Sequence, residues 1–199
     1  MKFSYLIFFT FFAKIIFSQN DSLIKQFENN KNKLTKNGMI VLSSWAGANL
    51  IAGAVGYGVS NNYEEKEFHL MNASWGVINL AIALPGLIGK PKPAGSMYQL
   101  QKQQTNTEKL FLANAILDVV YISGGFYLKE MAKNNTDIAK QQRFNGFGNS
   151  VILQGAGLMT FDVVMTILNN QHRKKHLDPF LQKTSFSFSG NYARVCYSF

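Results

Sequence analysis

Two aspartates stand in stretches that otherwise carry no charge. The segments "LDVV" at 117–120 and "FDVV" at 161–164 are near-copies, and each sets one carboxyl group, Asp118 or Asp162, into an apolar run. A second pair of near-copies, "SWAGANL" at 44–50 and "SWGVINL" at 74–80, puts a tryptophan four residues before an asparagine in two further apolar runs. Residues four apart share a helix face, so Trp45 stands one turn from Asn49 and Trp75 one turn from Asn79. A carboxyl group at the centre of a bilayer costs on the order of 3 kcal/mol, so it is expected to turn inward and to find hydrogen-bond donors. The two indole N–H groups, the two Asn amides and the Tyr121 hydroxyl are the donors in reach, and the Trp-Asn pairs are expected to partner the carboxyls.

Steps of three and four extend these positions into stripes. Asn72, Gly76, Asn79, Ala83 and Gly86 form one; Asn114, Tyr121 and Gly125 share the face of Asp118, and Gly155, Met159, Thr166 and Asn169 that of Asp162. Small residues let helix backbones approach and Asn hydrogen-bonds across, so these stripes mark helix-to-helix contact. The candidate site is therefore a polar layer of Trp45, Asn49, Asn72, Trp75, Asn79, Asn114, Asp118, Tyr121 and Asp162. Asn49, Asn79 and Asp118 are expected at one depth, with Asp162 a turn or more away. Two readings stay open: the layer fixes which helix packs where, or it binds an ion, a proton or a small polar ligand. A di-metal carboxylate site would want Glu-x-x-His pairs, which are absent. Glu65 with His69 and His172 with His176 have metal-compatible spacing, but Lys174 and Lys175 make the second pair read as a solvated basic face. No Gly-rich phosphate loop, nucleophile elbow or Cys/His cluster occurs, so the expectation is no catalytic residue, no metal, no cofactor and no enzyme activity.

The elements that must hold this layer follow from the distribution of charge. Residues 37–63 and 70–89 carry none, 110–128 only Asp118, and 144–172 only Asp162. Each stretch is about 20 residues or more, enough at about 1.5 Å per residue to cross a hydrocarbon core of about 30 Å. A soluble four-helix bundle needs a charged face on each helix, and these have none. The fold class is all-α, an antiparallel four-helix transmembrane bundle over 37–172, with helices at about 37–60, 67–89, 107–132 and 146–171. The connections "KPKPAGSMYQLQKQQTNT" and "NNTDIAKQQRFNG" read as exposed loops. Residues 1–19, "MKFSYLIFFTFFAKIIFSQ", have the layout of a secretory signal peptide, with an uncleaved anchor as the alternative because Lys14 interrupts the apolar run. Residues 20–36 read as a polar interfacial helix, and 173–199 as a basic tail whose alternating "TSFSFSGNYARVCYSF" suggests a short hairpin about a Ser-Gly-Asn turn. Two strands cannot close a barrel, so the tail lies on the membrane surface or pairs with a partner.

A net charge of +9 raises nucleic acid as a partner, but the basic residues are spread over connections without interleaved aromatics, which points instead to anionic lipid headgroups. The expected partners are the lipid bilayer, a protein bound through the loops or tail, and a second copy of the chain; nucleic acid is not among them. A single cysteine, Cys196, forms no intramolecular disulfide. The expected location is the bacterial cytoplasmic membrane. Orientation is contested, because a cleaved signal puts the 2–3 loop outside while the larger share of Lys and Arg would prefer that side to be inside.

The segments "GMIVLSSWAGANLIAG" at 38–53 and "FHLMNASWGVINLAIA" at 68–83 resemble an uncharacterised family of small bacterial four-helix membrane proteins. Gly38, Met39, Phe68, His69, Met71 and Asn72 match the family's Gly-Met opening and Phe-His-x-Met-Asn segment; Gly76 stands where that family more often has Asn. The resemblance implies the fold and no activity.

Overall fold

The computed structural model describes residues 2–189 and 192–197, with side chains described for 22–182. Four long helices follow one another, α1 (Lys2–Val59), α2 (Tyr63–Ile88), α3 (Met97–Lys133) and α4 (Ile138–His176), and all four are long and apolar enough to cross a membrane. A short α5 (Asp178–Lys183) and two strands, β1 (Thr184–Ser189) and β2 (Tyr192–Tyr197), complete the chain. The strands pair antiparallel, with Thr184 opposite Tyr197 and Ser189 opposite Tyr192. Gly190 and Asn191 of the expected turn, and Phe199, lie outside the described residues.

The helices run further than the apolar windows do. No Gly or Pro occurs between Lys2 and Asn37, so nothing in the chemistry of the chain breaks α1 at residue 19 or 36, and it is continuous. The segments read as loops are largely helical. Ser96 caps α3, its hydroxyl accepting the Gln99 N–H while the Gln99 side chain accepts the Gly95 N–H, and the Gln/Lys-rich run that follows is a good helix former. Asp137 caps α4 by accepting the N–H groups of Ala139 and Lys140 at 3.0 and 3.3 Å, so that helix begins at Ile138 rather than near 146. Asn62 does the same for α2, accepting the Glu64 N–H at 2.8 Å.

The chain divides into two compact units. The first takes in the chain up to Leu34, Pro91–Thr107 and the chain from Leu168 onward. It has its own core, Ile24, Phe27, Ala94, Leu100 and Leu177, with Met97 and Leu181 packed against it. The segment expected to be a loop without a core thus supplies Ala94 and Leu100 to one, and the Glu28 carboxylate accepts the Ala94 N–H.

The second unit, Thr35–Lys90 and Glu108–Ile167, holds the polar layer. Many of its large apolar side chains point outward: Ile51, Val55, Ile82, Ile116, Val120 and Val163 are all exposed. Its interior mixes small and polar residues with a few large apolar ones, Leu42, Phe111, Leu158 and Met165. On α2 the buried residues are Glu67, Asn72, Gly76, Asn79 and Ala83, one face at steps of three to five. Backbones meet along these faces. A Cβ on Gly76 would lie 2.8 Å from the Ala46 carbonyl oxygen of α1, and one on Gly125 of α3 would lie 2.6 Å from the Ile152 side chain and 2.8 Å from the Gly148 carbonyl oxygen of α4. Such spacing is the small-residue contact that lets membrane helices pack by van der Waals attraction and polar bonds.

Two adjacent glycines on α3 test this packing. Gly125→Ala should destabilise the protein by about 1–3 kcal/mol, because backbone as well as a side chain blocks the new methyl group. Gly124→Ala meets nothing within 4 Å and should be neutral or gain up to about 1 kcal/mol from helix propensity. Thermal unfolding in detergent compares the two, and equal effects would contradict the α3–α4 contact.

Candidate functional site: a buried polar layer

One side chain of α4 organises the layer, and it is not among the expected residues. Gln154 is fully buried. Its amide nitrogen donates to Asn49 Oδ1 of α1 at 2.6 Å and to Asn72 Oδ1 of α2 at 2.8 Å, and its carbonyl oxygen accepts the Trp45 indole N–H at 3.0 Å. Ser150, one turn earlier on α4, donates its hydroxyl to the same Asn72 oxygen at 2.8 Å. The Asn49 amide nitrogen donates to the Trp45 carbonyl at 2.8 Å. A primary amide has two N–H donors and one carbonyl, and here all are used, joining three helices. Stepping back from Asp162 in fours along α4 reaches Leu158, Gln154 and Ser150, so the signal was present in the chain; it is lost when only charges and repeats are followed.

The Trp-Asn pairs therefore do not serve the carboxyls. Trp45 and Asn49 bind Gln154, while Trp75 packs edge-on against Tyr121 of α3 with ring centroids 5.1 Å apart. The Asp118 and Asp162 carboxyls instead lie beside each other, with Asn114 next to Asp162. Asp162 is thus in contact with Asp118 rather than a turn or more away. Helical side chains lean toward the N-terminus of their own helix, and in an antiparallel pair such as α3 and α4 that tilts the two carboxyls toward each other. Both aspartates are buried, and Asp118 Oδ2 has no hydrogen-bond partner among the described residues.

Asn79 is 1 % exposed and its amide nitrogen likewise has no partner among the described residues. It lies one turn beyond Trp75, and Asp118 is about one turn before Tyr121, so the Trp75–Tyr121 contact sets the two at matching depth on neighbouring antiparallel helices. The layer is consequently two clusters: a connected amide network on α1, α2 and α4, and a carboxyl pair on α3 and α4. Near the start of α2 a third group ties α2 to α4. Arg143 donates to Glu67, which is buried, at 3.2 Å and to the Tyr63 hydroxyl at 3.1 Å, and Asn145 and Asn149 both donate to Glu64.

The spacing of histidines does not translate into a metal site. His69 packs against Gly56, where it fills the space a Cβ would need, and makes an edge contact with Phe68. In the first unit His172 stacks on Phe27, ring centroids 4.3 Å apart, with Nε2 3.3 Å from the Phe27 carbonyl. It is a packed residue and not part of a solvated face. Among the described residues no group of three or more His, Cys, Asp or Glu side chains could hold a metal ion.

No curated protein and no solved structure matches this chain. Residues 41–163, most of α1's second half through the Asp162 motif, match a family of unknown function. That stretch contains every residue of the amide network and of the carboxyl pair, and the chain belongs to this family, DUF6992.

Proposed function

We propose that this is a multi-pass integral membrane protein of the bacterial cytoplasmic membrane, inserted through its apolar N-terminal segment, whose buried polar layer locks the helices into one arrangement. Its role is structural or partner-binding and not catalytic; the partner is a protein engaging the connections or the C-terminal tail, or a second copy of the chain. The observation that carries this is the inverted polarity of the second unit. Ile51, Val55, Ile82 and Ile116 face outward while Asn49, Asn72, Asn79 and Gln154 are buried, the reverse of a water-soluble bundle and suited to lipid. Interhelical hydrogen bonds in membranes average about 0.6 kcal/mol, so a network of four such contacts supplies about 2 kcal/mol, enough to favour one helix arrangement over others by more than tenfold.

A second reading is favoured by one feature, the unpartnered Oδ2 of Asp118 beside Asp162. Two buried carboxyls side by side are suited to ion or proton handling, and the neighbouring Asn79 amide is a spare donor. The amide network has no such loose end at Gln154, which is why packing leads.

Four crossings make a labelling prediction that holds for either orientation. In a Cys196→Ser background, single cysteines at Asn29, Ser96 and Gln171 should react with an impermeant thiol reagent from one side of the membrane, and cysteines at Asn61 and Thr136 only from the other. All five positions are exposed. Reaction of all five from the same side would rule out the four-pass arrangement.

Near-isosteric change separates the two readings of the carboxyl pair. If the pair only packs, Asp118→Asn should cost about 1 kcal/mol or less and Asp118→Leu about 1–3 kcal/mol, since Leu strands Asp162 without its partner. No ion should shift the melting temperature of the wild type. A melting temperature that rises with one particular ion, and stops doing so in Asp118→Asn, would replace packing with binding.

A further inference from the structure

The first unit draws exposed lysines from three distant parts of the chain. Lys25 and Lys33 come from α1, Lys92 and Lys102 from the 2–3 connection and α3, and Lys174 and Lys175 from the end of α4. All six are exposed. The two carboxylates among the unit's described side chains are turned to internal work: Glu28 accepts the Ala94 N–H, and Asp178 holds Arg173 at 2.7 Å. Every exposed charge that remains among those side chains is positive. The second unit differs, because there Lys133 pairs with Glu130, Lys140 with Asp137 and Arg143 with Glu67.

We infer that these lysines bind the phosphate groups of anionic lipid headgroups. The inference rests on the membrane reading above. The chain itself puts the charges where headgroups are: Lys33 lies four residues before the charge-free window that begins at 37, Lys92 three residues after the one that ends at 89, and Lys174 two residues after the one that ends at 172. At about 1.5 Å per helical residue, the helical ones among these stand within about one Debye length of the hydrocarbon boundary, the distance over which a charged leaflet attracts basic side chains. A soluble polyanion would have to compete at that place with the membrane. Lysine, a point charge on a flexible stem, suits a mobile phosphate better than a fixed partner geometry.

The test uses the full chain, purified in mild detergent and offered equal amounts of phosphatidylglycerol and phosphatidylcholine with matched acyl chains. Native mass spectrometry should find phosphatidylglycerol retained over phosphatidylcholine by about tenfold, falling toward parity as salt is raised to about 0.5 M. A variant with Lys25, Lys33, Lys92, Lys102, Lys174 and Lys175 all changed to Gln should lose most of the preference, and a Lys133→Gln/Lys140→Gln variant should keep it. A wild-type ratio near one, a ratio insensitive to salt, or a preference that survives the six changes would overturn the inference; the salt series decides it even if the six-residue variant does not fold. Tight binding of a 20-mer oligonucleotide that phosphatidylglycerol vesicles fail to displace would also overturn it, in favour of nucleic acid. Alkaline carbonate washing of membranes separates the two levels. Protein that stays in the membrane but shows no lipid preference ends only the headgroup inference, whereas protein that washes off ends the membrane reading with it.

Discussion

The amide of Gln154 is the bond on which the second unit depends. It is one side chain with two donors and one acceptor, and it spends all three on different residues, Asn49, Asn72 and Trp45. In water each of these groups would be satisfied in any arrangement, and the network would choose nothing. In hydrocarbon an unmade bond leaves a bare donor or acceptor, so the arrangement in which all are made stands apart from helix rotations that keep the same apolar contacts. Ser150 reinforces the choice by filling the remaining lone pair of Asn72. Without the layer, the outward Ile and Val side chains would fit lipid as well as they fit one another, and nothing in them would set the register.

Small residues make that network reachable. Amide side chains are short, and they meet across three helices because the backbones are close at Gly76 against Ala46 and because Gly157 leaves room for the Trp45 indole, from which a Cβ would lie 2.7 Å. The Gly125–Gly148 contact draws α3 against α4 in the same way and brings Asp118 within reach of Asp162. Glycine positions and polar positions are thus parts of one device, and their interleaving at steps of three and four on α2, Asn72, Gly76, Asn79, Ala83, is its trace in the chain. The connections of the second unit carry mixed ion pairs, Lys133 with Glu130 and Lys140 with Asp137, whereas the exposed charges among the first unit's described side chains are basic.

Much of this was legible before any coordinates. The absence of charge over 37–63 and 70–89, with single aspartates in the other two windows, located four helices, and the α2 stripe located its buried face. Helix ends were misplaced for a physical reason: hydropathy reports where lipid is, while a helix continues into water for as long as its residues tolerate it. The Ser96 and Asp137 caps were the better guides to where α3 and α4 begin. The site was half legible. Trp45, Asn49, Asn72, Asp118 and Asp162 are all buried or partly buried in the layer, but their partners were misassigned, because carboxyls looked like the groups in greatest need of donors. Gln154 is uncharged and stands outside both repeats, and which partner an amide takes is decided by the rotation of α4 about its axis, a tertiary quantity that one stripe of residues does not fix. Tyr121, counted as a donor, is partly exposed and meets Trp75 through its ring.

The claim that the layer works as interhelical glue centred on Gln154 is tested most directly by equilibrium unfolding of Gln154→Met in lipid bicelles. Methionine keeps the length and nearly the volume of the side chain while removing every hydrogen bond. Three partners, Trp45, Asn49 and Asn72, would then lose their bond to this residue, and the account predicts a loss of about 1–3 kcal/mol with the helices still inserted. A stability within about 0.5 kcal/mol of wild type would contradict it, because the network would then be a consequence of the packing and not a cause.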